Sequence, residues 1–254
     1  MNVKIIQWNV SYSCKIDKII EYLKFHIEGR TIICLQEVLV SFKEQLIERL
    51  QPDNYSYSLD YRKPGLYDGK NRKMGVLTLV FGGQLVESSV LERTVFPDRT
   101  LYSKLEFDQK SVSILNFHSL TGVGYKNAKG SNFASIAEFL QKTTDLDFFC
   151  CDANEPRTDS FISDEIEFWD AKGRGKFASL IFGNNKVHHL VDPVKTDKIF
   201  EELPVSYYTG GNPRRYDYIF KSPTWITEGF NFYYKDSIKA SSDHAMVVGS
   251  FRLW

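Results

Sequence analysis

Five places in this chain set rare polar residues at the end of an apolar run, and their types suit one chemistry. Asn9 follows the run 3–8, and Gln36-Glu37 follow 32–35. Asn116 and His118 flank Phe117 after 112–115, and Asp152 and Asn154 follow or trail 148–151. Asp243-His244 precede the final run 245–248. Each alone has an ordinary reading. An Asn or Asp after a strand is a turn former or a helix cap. Glu37 could be a solvated charge ahead of a helix, and His118 a hydrogen-bonded core histidine. Together they imply more. Carboxylates and imidazoles are unfavourable to bury, so their repetition at the tips of apolar strands implies that the strand ends converge on one polar cleft. Glu37 and Asp243 are hard oxygen donors suited to Mg2+ or Mn2+, and Asn9 can add a neutral oxygen. Asp152 could activate a water and Asn154 orient it. His118 and His244 could stabilise negative charge on a phosphoryl oxygen.

The elements that must position these groups are mostly strands. Runs rich in β-branched and aromatic residues predict strands at about 4–8, 31–35, 75–81, 101–107, 111–117, 147–151, 187–191, 216–220, 225–234 and 246–253. Helical periodicity is clearest over 16–26, 42–50 and 132–142. Early β-α-β order gives way to hairpin-like pairs. That pattern predicts an α/β protein of two packed, mostly mixed or antiparallel sheets covered by a few helices. No internal repeat or linker divides the chain, so 1–254 is read as one domain. The polar, turn-rich stretches 61–73 and 121–131 read as loops.

Composition narrows the partners. Lys+Arg and Asp+Glu are each 32 in 254 residues, for a formal charge of zero. That argues against an extended nucleic-acid surface, which rests on clustered cations, but leaves room for a local basic cleft. The first residues run straight into alternating β-type sequence. No signal peptide or membrane span is read there, and the expectation is an intracellular protein without membrane insertion. Cys14, Cys34, Cys150 and Cys151 lack zinc-type spacing and are expected as free thiols.

The clusters also resemble the endonuclease/exonuclease/phosphatase (DNase I-like) superfamily. QWN at 7–9, LQEV at 35–38, NFHS at 116–119, CDAN at 151–154, RRYDYIF at 214–220 and SSDHAMVV at 241–248 follow the order of that family's motifs. The resemblance implies a four-layer α/β sandwich, two face-to-face sheets flanked by helices, with the active site at one edge. It implies a metal-dependent phosphodiesterase using Mg2+, with Mn2+ as an alternative. Glu37 would be the principal metal ligand, with Asn9 and Asp243 near the ion. Asp152 would be the general base and Asn154 would sit beside it on the scissile phosphate. His118 and His244 would contact the phosphate, and Asp217 would fix the tautomer of His244.

Two positions depart from the pattern. Cys151 stands where the family commonly has glycine before the aspartate, and Val38 stands where apurinic endonucleases carry lysine after Gln-Glu. These departures favour the DNase I, tyrosyl-DNA phosphodiesterase, sphingomyelinase and phosphoinositide-phosphatase side, and LQEV looks most like the tyrosyl-DNA form. The implied partner is therefore nucleic acid, DNA first. The alternatives are a phospholipid, an inositol phosphate or a nucleotide, and a non-catalytic binding module of the same fold.

Four cations are candidate substrate contacts. Lys126 and Lys129 lie in the loop 122–132 that leads into a helix, which reads equally as a phosphate contact or a solvated connection. Arg214 and Arg215 stand just before the Asp217 strand. Arg62, Lys63, Lys70, Arg72 and Lys73, interleaved with Tyr61 and Tyr67, could grip nucleic acid or form a charged loop.

Overall fold

The computed structural model describes residues 1–62, 73–169 and 173–254. The chain opens as β1 (Asn2–Asn9), α1 (Ile16–His26), β2 (Thr31–Leu39), α2 (Val40–Leu50), β3 (Asn54–Tyr57), α3 (Ser58–Tyr61), β4 (Met74–Phe81) and β5 (Gln84–Ser89). It continues through β6 (Thr100–Phe107), β7 (Lys110–His118), α4 (Gly122–Tyr125), α5 (Asn127–Lys142), β8 (Phe148–Asp152), α6 (Ser179–Phe182) and α7 (Pro193–Thr196). A short ribbon follows, β9 (Tyr207–Thr209) with β10 (Asn212–Arg214), then β11 (Asp217–Lys221), β12 (Trp225–Tyr233), α8 (Tyr234–Lys239) and β13 (Met246–Leu253).

Two mixed sheets result, ordered β12-β13-β1-β2-β4-β3 and β11-β8-β7-β6-β5. Near the middle of each lies one parallel pair, β1 with β2 and β7 with β8, joined by a helical crossover. A parallel pair places both carboxyl ends at the same edge of its sheet. In one sheet Asn9 therefore lies opposite Gln36, and in the other His118 lies opposite Asp152. The antiparallel neighbours bring their starts to the same edges. β11 sets Asp217 opposite Asp152, and β13 sets Val247 opposite Gln7, so that 243–245 arrive beside the end of β1.

Period-2 alternation buries both faces of these strands. Between the sheets, Val3, Ile5, Ile32, Cys34 and Val80 meet Leu105, Val112, Ile114, Phe148, Cys150 and Ile219. On the outer face of the first sheet, Ile6, Trp8, Ile33 and Leu35 pack on Ile19, Ile20 and Leu23 of α1 and Leu46 of α2. Leu115, Phe117, Phe149 and Tyr218 cover the second sheet's outer face with Phe133, Ile136, Ala137 and Leu140 of α5. The layers are helix, sheet, sheet, helix, as the resemblance implies.

The elements differ from expectation in several places, among them the expected loop 121–131, most of which is helix α4 and the start of α5. The stretch 187–191 is not a strand; only Val191 bridges to Lys221, because His188 and His189 bond to the carbonyls of Ile181 and Leu146 as the chain turns after α6. β3 and β5 are short edge strands whose polar, partly exposed residues give no periodic signal. Helix α5 begins at Asn127 rather than 132. All four cysteines are free, as expected, and burial pushes the thiols of Cys150 and Cys151 well above the ordinary range, which removes them as nucleophiles. Among the described residues no helix is long and apolar enough to cross a membrane.

His188 carries a stability prediction. Burial lowers its imidazole from 6.5 to about 4. The unfolded chain therefore binds the proton first, so stability is fully present above about 6.5 and is lost as pH falls toward 4. Urea titrations at pH 7 and pH 5 are expected to show about 2 kcal/mol more loss in the wild type than in His188→Gln. Equal losses would remove His188 as the cause.

Candidate active site

The polar strand ends do meet. Asp152, Asp217 and His244, all buried, place ligand atoms within 4.8 Å of one another. His244 Nδ1 lies 2.9 Å from Asp217 Oδ2, the pairing that RRYDYIF and SSDHAMVV imply, and its Nε2 lies 3.8 Å from Asp152 Oδ2. Burial by itself disfavours the imidazolium, but Asp217, and after it Asp152, raise it to about 10. His244 is thus a held cation with one nitrogen turned toward Asp152.

Asp152 is surrounded by donors. Asn9 Nδ2 donates to its Oδ2 at 2.9 Å, while Asn9 Oδ1 accepts from Ser11 N–H. Asn154 donates its backbone N–H to Oδ1 at 3.1 Å and its side-chain amide to Oδ2 at 3.3 Å. Asn154 does so from the left-handed region, φ 50°, which asparagine tolerates better than most residues. Burial pushes the Asp152 carboxyl up to about 7, with Asp217 and Glu37 adding to the rise against the opposing pull of His244. A carboxylate poised there can accept a proton near neutrality.

Glu37 reaches this group through a backbone device. Pairing of β2 with β4 runs Leu35 opposite Leu77 and then Val38 opposite Gly75, so two residues on β2 face one on β4. Within this bulge Glu37 adopts φ 58°, a costly conformation for glutamate. The bulge sends Gln36 into the inter-sheet space and leaves Glu37 partly exposed at the edge. There its Oε2 accepts Tyr12 N–H and its Oε1 lies 3.6 Å from His118 Nε2.

His118 is itself oriented by Arg99. A guanidinium has no acceptor, so Arg99 must donate to His118 Nδ1, and the ring proton falls on Nε2. That nitrogen faces Glu37 and, at 3.5 Å, Asp152 Oδ2.

Some of these supports have no local sequence signal. A buried amide ladder crosses between the sheets: Asn116 donates to Leu35 O and Leu77 O, Gln36 donates to Asn116 Oδ1, and Gln7 donates to Gln36 Oε1 and Asp217 Oδ1. It ends on the second oxygen of Asp217 and fixes that carboxylate beneath His244. Arg99 is brought to His118 by the register of β6 and β7, which sets Thr100 opposite Phe117. Ser206 Oγ accepts the backbone N–H groups of Tyr216 and Asp217, and Ser242 Oγ donates to Asn9 O at 2.6 Å.

Other expected residues lie elsewhere. Asp243 is on the exposed rim, outside the buried cluster, between the inward Ser242 and His244. Lys126 is exposed. Lys129 is buried at 2 % exposure and bonds Asn154 O and Glu155 Oε1, so it is not a surface phosphate contact. Arg215 is likewise buried, paired with Asp159 and Asp192 and stacked on Tyr218, which turns it away from a substrate role. Arg214 lies over the Trp169 ring. Of the basic loop, Lys63, Tyr67, Lys70 and Arg72 fall outside the described residues.

The donor set fits a hard divalent cation. Glu37, Asp152 and Asp217 gather three carboxylates around two imidazoles, and behind burial Asp217 and Glu37 push Asp152 up, a crowding of like charges that suits a nearby cation. Asp217 Oδ2 and His244 Nδ1 bond one another and Asp152 is the candidate base, so Glu37 at the edge is the better placed donor.

Two sheets, each centred on a parallel β-α-β unit and joined at a carboxylate-imidazole edge, define the endonuclease/exonuclease/phosphatase fold, and this chain has it. No family model matches the sequence. No curated protein matches it either. Solved structures do. A humanized TDP2 of D. rerio carrying 14 mutations superposes with TM-score 0.72 at 15% identity over 99% of both chains. D. rerio TDP2 complexed with single strand DNA product gives 0.68 at 14% over 99% of both. The endonuclease/exonuclease/phosphatase from Bacteroides vulgatus gives 0.69 at 14% over 100% of both. At these identities the likeness is one of fold.

Proposed function

We propose that this protein is a divalent-metal-dependent phosphodiesterase that acts on nucleic acid, DNA in the first instance. The observation that carries the reading is the convergence of Asn9, Glu37, His118, Asp152, Asn154, Asp217 and His244 at one edge of the sandwich. Asp152, buried and poised near neutrality, takes a proton from water while Asn154 and Asn9 hold its two oxygens in place. The water oxygen bonds to phosphorus and the leaving oxygen departs with the electron pair of the broken bond. His244, kept charged by Asp217, and the Nε2–H of His118 stabilise charge on the phosphoryl oxygens. Mg2+ or Mn2+, held by Glu37 with Asn9 alongside, would supply further charge neutralisation when bound.

A track of rings favours nucleic acid over a sugar or lipid head group. The Tyr207 ring lies 4.5 Å from that of His244 and stacks on Tyr216 at 5.5 Å. Tyr216 Oη accepts from Trp169 Nε1, and Arg157 and Arg214 lie over the Trp169 ring at 5.7 and 5.8 Å. Tyr216 is buried, so the partly exposed Tyr207 and Trp169 are the rings left to meet bases, at about 1–3 kcal/mol per stacked base, and the arginines add cations for the backbone. The TDP2 neighbour is itself complexed with single strand DNA product.

The test is a panel of single-stranded DNA, duplex DNA, RNA, 5′-tyrosyl DNA, phospholipid and inositol phosphate. A DNA substrate should be turned over best. Trp169→Ala should raise its KM roughly tenfold, the weight of one stacked base, and leave cleavage of bis(p-nitrophenyl) phosphate unchanged. Preference for phospholipid or inositol phosphate, indifferent to Trp169, would overturn the substrate assignment.

A further inference from the structure

Among the described residues, the most deeply buried lysine sits directly behind the candidate base. Lys129, in the first turn of α5, places its ammonium 2.7 Å from Asn154 O and 2.7 Å from Glu155 Oε1. Glu155 is fully buried, and its second oxygen accepts Trp169 N–H at 3.0 Å. One ion pair therefore ties α5, the Asp152–Asn154 turn and the start of the Trp169 segment together. Next to it, Gly130 lets α5 approach Gly173, whose carbonyl a Cβ at 130 would meet at 3.0 Å.

Stability does not explain such a pair. Desolvating two charges offsets their attraction, and well-packed neutral residues usually serve as well or better. What the pair does provide is direction. Asn154 is held at φ 50° and from there donates twice to Asp152. Lys129 is the group that grips its carbonyl. No part of the chemistry falls to Lys129 itself, which touches neither Asp152 nor the cleft.

We infer that the Lys129–Glu155 pair is a positioning element: it locks Asn154 in its left-handed conformation and so aims both Asn154 and Asp152 at the reacting phosphate. The catalytic half of this inference rests on the phosphodiesterase reading; the conformational half does not.

The test uses the full chain with Lys129→Met and Glu155→Gln combined. Both charges of the pair leave together, and the introduced amide keeps an acceptor for Trp169 N–H. The single Lys129→Met, which takes the lysine away from a buried carboxylate, serves as the comparison and is expected to melt lower. The double variant should fold with a melting temperature near wild type. Its crystal structure should show Asn154 out of the left-handed region or released from Asp152. Its kcat on bis(p-nitrophenyl) phosphate should fall about 100-fold, the scale of a misplacement near 1 Å, with KM within about threefold. A purely structural pair would move melting temperature without this split between kcat and KM. An unmoved Asn154 overturns the inference, whatever the turnover. So does an active wild type whose double variant keeps its kcat. An inert wild type, by contrast, sinks the phosphodiesterase reading and leaves the crystallographic comparison to decide the conformational claim.

Discussion

Asp152→Asn is expected to lower kcat on a phosphodiester by about 10³-fold while KM changes little. A positioned general base contributes roughly 10²–10⁴-fold, and among the described residues no other carboxylate lies where Asp152 does. Glu37 is at the edge of the cleft, and both oxygens of Asp217 are committed to Gln7 and His244. An asparagine fits the same space and its oxygen can still accept from the Asn9 and Asn154 side-chain amides, at the cost of setting its NH2 against the Asn154 backbone N–H, so most of the geometry survives and proton acceptance is lost. Unfolding is not the cause to fear. Burial disfavours the ionised form of Asp152, which offsets the lost bond to the Asn154 backbone N–H, so the melting temperature should stay near wild type. Loss of turnover with the stability of the chain retained is a signature that a structural residue does not give. Retention of kcat within about tenfold would remove Asp152 as the base.

Asp217→Asn should cost about 10²–10³-fold in kcat. Asp217 is the carboxylate that raises His244 and fixes its Nδ1 proton, and loss of one preorganised donor carries a penalty of this size. An asparagine there must turn its NH2 toward either Gln7 Nε2 or His244 Nδ1. Facing Gln7 it sets donor against donor; facing His244 it forces the imidazole into the other tautomer and discharges it. Nitrogen-15 NMR of the His244 ring checks the cause: protonated on both nitrogens in wild type near neutrality, neutral in the variant. Unchanged kcat together with a changed tautomer would show that His244 does not act on the phosphate.

Much of this arrangement could be read from one sequence because burial of polar groups is so restrictive. Asn9, Glu37, His118, Asp152 and His244 each end or begin an apolar run, and only convergence explains five such placements. The parallel pairing of β1 with β2 and of β7 with β8 then brings those ends to one edge in each sheet. What the chain did not disclose depends on partners distant in sequence. The bulge that aims Glu37 exists only in the register of β2 against β4. Arg99 gains its place from the pairing of β6 with β7, and the Gln7–Gln36–Asn116 ladder from the packing of one sheet on the other. Lys129 and Arg215 show the opposite error. A basic residue beside a site motif suggests a phosphate contact, yet each is neutralised by acids, Glu155 for one and Asp159 with Asp192 for the other. Charge burial is decided by such pairs, and pairs are not local.

Hydrolysis of bis(p-nitrophenyl) phosphate by the purified wild type, in EDTA and then with added Mg2+ or Mn2+, tests the central claim most directly. Glu37→Gln and Asp152→Asn are assayed beside it. The phosphodiesterase reading predicts cleavage that needs the metal, a higher metal requirement with Glu37→Gln, and near silence with Asp152→Asn. A wild type inert with both ions, or cleavage that persists in EDTA and ignores both substitutions, would contradict it.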